Sequence, residues 1–90
     1  MRLKEGYLLR KIAGQHVVVP VGEAALNLNG VITLNESGCY LWELLQNEIS
    51  EEELIGKMLS RYNVSKDTAA LDIKAFINKM INHHLLVIHE

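Results

Sequence analysis

The chain has 90 residues and a formal charge of -2 at pH 7, with 49% hydrophobic and 22% charged residues. That length suits one small domain, expected over residues 1–90, with no room for a cofactor domain beside a substrate domain, and the composition is too apolar for disorder. One cysteine excludes an internal disulfide, no apolar run nears the ~18 residues of a membrane span, and Met1 to Glu5 lack a signal peptide's apolar core; a reducing cytoplasm with no membrane contact is expected.

The first third reads as strands. Tyr7 to Ile12 and His16 to Val21 are rich in β-branched and aromatic residues, and Ala13-Gly14-Gln15 between them is the short glycine-containing connection of a hairpin. Pro20 marks a strand end, a sheet edge or a bulge. Val31-Ile32-Thr33-Leu34 follows Asn29-Gly30, a pair suited to a tight turn, and completes a small antiparallel meander.

From Asn35 the period changes from two to 3.6. Asn35 is a good N-cap, and Leu41, Leu44 and Leu45 fall on one helical face with Trp42 on its flank. Ser50-Glu51-Glu52-Glu53 is a capping box, stapled by Ile49 and Leu54, and opens a second helix with Leu54, Ile55, Met58, Leu59 and Tyr62 as its apolar stripe. Ser65 caps a third helix whose inner face is Ala69, Ile73, Phe76, Ile77 and Met80. Leu85 to Ile88 closes the chain as a brief strand or a tail packed on the core. Strands followed by helices, rather than alternating with them, predict an α+β fold: a three-stranded antiparallel sheet and then three helices.

Residues that carry chemistry are few. His83 and His84 are adjacent, so a regular helix points them to different faces and they cannot chelate one metal together. Cys39 and His16 lack a third orienting group and an oxyanion-hole motif, which makes a small core thiol the better account of Cys39. Glu51, Glu52 and Glu53 suit the start of a helix, and the six glycines make no phosphate-binding motif. No catalytic set, metal or cofactor is expected, and function is expected to lie in a surface.

Two surfaces stand out. With strands in the order 1-2-3, Val31 to Leu34 is an edge with no lysine, proline or other device to blunt it, open to an added extended peptide. The C-terminal tail or a second copy of the chain would fit the same edge, which leaves a homodimer open. The second surface is the flank of the third helix, with Asp72, Ala75 and Lys79 beside Phe76. In a small winged-helix DNA-binding or regulatory domain, the alternative reading, that helix would enter the major groove. Residues 35–56, however, carry six glutamates and no base, and the few lysines of the third helix stand among Asp67 and Asp72, a poor set for phosphate. No nucleic-acid partner is expected.

Leu34-Asn35-Glu36-Ser37-Gly38-Cys39-Tyr40-Leu41-Trp42-Glu43-Leu44-Leu45 resembles the LNETxxxIWELL signature of PqqD-like proteins. Arg61-Tyr62-Asn63-Val64-Ser65 is similar to that family's YxV turn, Asp72-Ile73-Lys74-Ala75-Phe76-Ile77 to its DVxxFL block, and Leu85-Leu86 to its terminal LL; the likeness covers residues 6–87. It implies a winged-helix-like fold that catalyses nothing, a peptide chaperone that binds the leader of a ribosomally made precursor peptide for a modifying enzyme, often a radical SAM protein. It implies further that the leader adds as a strand to the third strand, through the backbone of Val31, Ile32, Thr33 and Leu34, and faces the third helix at Asp72, Ala75, Phe76 and Lys79; four or five backbone hydrogen bonds are expected of such a pairing. Two departures stand out. His84 replaces the glycine usual before the terminal LL, and Gln46-Asn47-Glu48 replaces an acidic-glycine turn, which suits a relative in another pathway as well as pyrroloquinoline quinone synthesis.

Overall fold

The structure, a computed structural model, describes residues 1–22 and 32–88. Its elements are β1 (Arg2–Leu3), β2 (Tyr7–Ile12), β3 (Gln15–Pro20), β4 (Ile32–Leu34), α1 (Glu36–Leu44), α2 (Glu51–Arg61), α3 (Lys66–Asn82) and β5 (Leu86–Val87). Val31 and the Asn29-Gly30 turn lie outside the described residues. Strands β2, β3 and β4 form one antiparallel sheet in that order, so the expected meander followed by three helices is present. The sequence reading did not foresee β1, which pairs antiparallel with β5 as a separate two-stranded ribbon. Two-residue strands carry too few positions to show a period, and their partners stand at opposite ends of the chain.

The β2–β3 hairpin is tighter than expected. Gln15 pairs with Ile12, which leaves Ala13 and Gly14 as a two-residue loop with φ of 51° and 79°, the positive pair of a type I′ turn. Pro20 is the last residue of β3 and stands opposite Tyr7.

Each helix begins at the expected cap. Asn35 Oδ1 accepts from the Gly38 N–H at 2.8 Å and Ser65 Oγ from the Thr68 N–H at 3.1 Å. Ser50 Oγ accepts from the Glu53 N–H at 3.1 Å and Glu53 Oε1 from the Ser50 N–H at 3.3 Å. Helix α3 ends in a Schellman motif: the His84 N–H donates to the Ile81 carbonyl and the Leu85 N–H to the Met80 carbonyl, both at 2.9 Å. The residue that must turn left-handed there is His84, with φ 59°. The turn that glycine usually makes is therefore kept, with a histidine in the glycine's conformation.

One buried cluster joins the layers. Val18, Ile32 and Leu34 from the sheet, Leu41, Trp42 and Leu45 from α1 and its end, and Leu54 and Met58 from α2 pack with Ala69, Ile73, Phe76, Ile77 and Met80 of α3. Leu3 and Leu85 close it beside the β1–β5 ribbon. The expected inner face of α3 is present in full. On α1, Trp42 is buried and Leu44 only half-buried, which rotates that helix toward its tryptophan, and on α2 Leu59 is exposed. Among the described residues no helix is long and apolar enough to cross a membrane.

Candidate functional site

The hairpin loop decides which backbone groups of β4 are free. In a two-residue antiparallel loop the closing pair, here Ile12 and Gln15, is hydrogen-bonded, and along a strand the N–H and C=O pairs alternate in direction. Gln15 and Val17 thus turn toward β2, and His16 and Val18 toward β4. Leu34 stands opposite His16 and Ile32 opposite Val18, so both spend their backbone groups on β3, whereas Thr33, opposite Val17, directs its N–H and C=O away from the sheet. Side chains follow the other alternation: Ile32 and Leu34 are buried and Thr33 is exposed.

Helix α3 faces that edge. Between them lies a groove of about 450 Å³. Thr33 and Leu34 form one wall and Asp72, Ala75, Phe76 and Lys79 the other, while the start of α1 adds Asn35, Ser37, Gly38 and Leu41. The spacing 72, 75, 76, 79 is a single helical flank, so the structure selects which side of the α3 stripe meets the sheet. Lys79 Nζ reaches across the groove and donates to the Thr33 carbonyl at 2.8 Å. The C-terminal strand pairs with β1, so among the described residues no strand covers the outer edge of β4.

Of the residues singled out from sequence, Thr33, Leu34, Asp72, Ala75, Phe76 and Lys79 line the groove together. Ile32 does not: its side chain is buried in the core and its backbone groups face β3. The α1 contribution was not foreseen, although Gly38 carried a signal, since glycine inside a helix is unfavourable without a packing reason. Here the reason is the cap. A Cβ at Gly38 would stand 3.1 Å from Asn35 Oδ1 and 3.3 Å from Leu34 Cβ.

A second cleft, of about 290 Å³, lies on the other flank of α1, between His16, Glu36, Cys39, Tyr40, Glu43, Arg61 and Tyr62. The Arg61 guanidinium stacks 4.5 Å above the Tyr40 ring, and Tyr62 meets that ring edge-on at 6.0 Å. Burial first, and then the carboxylates of Glu43 and Glu36, push the Cys39 thiol up. That is the wrong direction for a nucleophile that must ionise near neutral pH.

Solved structures of the same architecture include TbiB1 in complex with the TbiA(beta) leader peptide, with a TM-score of 0.74 and 19% identity over 100% of both chains. Another is a lasso peptide synthetase B1 complexed with the leader peptide, with a TM-score of 0.71 and 17% identity over 97% of this chain and 96% of that one. At these identities the likeness establishes the fold. No curated protein matches the sequence. The family model for coenzyme PQQ synthesis protein D matches residues 15–86, from the first residue of β3 into β5, and with four sequence blocks in order on this fold the chain belongs to the PqqD family.

Proposed function

We propose that residues 1–90 form one peptide-recognition domain of the cytoplasm, not an enzyme, that holds the leader of a ribosomally made precursor peptide for a modifying enzyme of the radical SAM type. The observation that carries this reading is the groove between the outward backbone of Thr33 and the flank of α3. An extended segment laid there would pair with Thr33 as an added strand and set alternate side chains against Leu34, Leu41, Ala75 and Phe76. The two structural relatives with leader peptides in their complexes support the same ligand class.

Among the described residues of β4, Thr33 turns one donor and one acceptor outward. At about 0.5–1.5 kcal/mol net per bond, these give about 1–3 kcal/mol. A micromolar complex requires about 8 kcal/mol, so the pairing at Thr33 has to be joined by side-chain burial in the groove.

The test is an NMR titration with the leader segment of any short precursor peptide found in the chain's gene neighbourhood. Amides of residues 32–35 and of the Asp72 to Lys79 flank are expected to shift together. A titration that leaves both segments unmoved overturns the reading.

A further inference from the structure

In the free chain the groove already holds a hydrogen bond. Lys79 Nζ donates to the Thr33 carbonyl at 2.8 Å across 46 positions of sequence, and among the described residues it is the one side-chain hydrogen bond that joins α3 to the sheet. A strand added to β4 would bring its own amide nitrogen to about 2.9 Å from the same oxygen, with its backbone about 4.8 Å from β4. The carbonyl has a second lone pair, but it is turned toward the groove that an added backbone would fill and that Lys79 also lines, so ammonium and ligand amide compete for it. Lys79 therefore has to withdraw before a strand can pair at Thr33.

The withdrawn ammonium stays at the groove, because it swings on a flexible four-carbon stem whose root is part of the wall. It is the one cation among the lining residues, and Asp72 is the one anion. They stand seven residues apart on α3, about 10.5 Å along the axis, with Ala75 and Phe76 between them. The wall is thus ordered as acid, apolar patch, base. A carboxylate on the ligand is favoured at the Lys79 end, where it replaces the carbonyl that the ammonium has given up, and disfavoured beside Asp72.

We propose that Lys79 is a displaceable latch on the edge strand, and that the groove selects an extended segment with a carboxylate where it meets Lys79 and a cation where it meets Asp72. This rests on the peptide-binding reading and adds the chemistry and direction of the segment bound. An extended chain rises about 3.3 Å per residue, so the two ligand charges fall two to four residues apart.

A library of randomised twelve-residue peptides, selected in parallel on the chain, on Lys79→Gln and on Asp72→Asn, tests the proposal. The unsubstituted chain is expected to enrich an acid two to four residues from a base. Lys79→Gln is expected to lose the preference for the acid alone, and Asp72→Asn the preference for the base alone. In a selected peptide, replacing the acid by glutamine should weaken binding about two- to fivefold on the unsubstituted chain and leave Lys79→Gln unaffected, and Lys79→Glu should recover a peptide with lysine at that position. Without any peptide, Lys79→Gln should move the Thr33 carbonyl carbon resonance upfield while the α2 amides stay in place. A consensus without charge, the same consensus on all three proteins, or an unmoved Thr33 resonance overturns the latch and leaves peptide binding standing. If none of the three proteins enriches any peptide, both readings fall.

Discussion

Thr33 separates two jobs that a strand residue usually combines. Its N–H points outward, away from β3, so Thr33→Pro deletes a donor facing the groove without removing a ladder bond, and proline is tolerated at a sheet edge of this kind. The expected outcome is peptide binding weakened by about an order of magnitude in calorimetry, with an unchanged far-UV spectrum; full affinity would exclude pairing through this residue. His84 is a second position where conformation and identity disagree, since its φ of 59° is costly for a side chain with a Cβ. His84→Gly is expected to stabilise the chain by about 0.5–1 kcal/mol in urea titrations. Cys39 supplies a dependence on pH. Folding raises its thiol above the ordinary value of 9.0, so the folded state keeps a proton that the unfolded state releases. Stability is then unaffected below that ordinary value and falls as pH rises past it. Urea midpoints between pH 7 and pH 10 should show the decline, and Cys39→Ala should remove it.

Among the elements, the helices were the most legible in the sequence. Their caps and stripes are signals spread over three to eight residues, and Asn35, Ser50 and Ser65 all act as read. The β1–β5 ribbon was illegible because its pairing joins Arg2 to Val87, with no local pattern to announce it. The groove falls between these cases. Both walls have a sequence signal, but the Lys79 to Thr33 bond depends on how α3 lies across the sheet, and the alternation that turns Thr33 outward depends on Gln15 belonging to β3 and not to the loop. Two helical glycines make a paired test of what packing adds to propensity. Gly56 lies inside α2 with nothing within 4 Å of an added Cβ, whereas Gly38 would press on its own cap and on Leu34. Gly56→Ala is expected to stabilise by about 0.5–1 kcal/mol, and Gly38→Ala to gain clearly less and to narrow the groove; equal gains would show that the cap yields freely.

For the whole molecule, charge and shape argue alike. The acidic stretch 35–56 covers α1 and the start of α2, and the single lysine on the groove flank of α3 is engaged with the sheet, so that flank presents no cluster of cations to a phosphate backbone. On the proposed reading, a peptide and a second copy of the chain would compete for the β4 edge, because each would claim the outward groups of Thr33. Adding peptide is therefore expected to shift any dimer toward monomer in sedimentation velocity; a dimer fraction indifferent to peptide would place self-association on another surface.

The position of the lone tryptophan has a practical consequence. Trp42 is 4% exposed in the core beneath α1 and is absent from the groove lining. Its indole emission should be that of a dry environment in the folded chain and should move to longer wavelength as the core opens. The protein thus carries an optical gauge of its own folding that stays silent about what the groove holds, so stability and occupancy can be followed as independent signals in one sample.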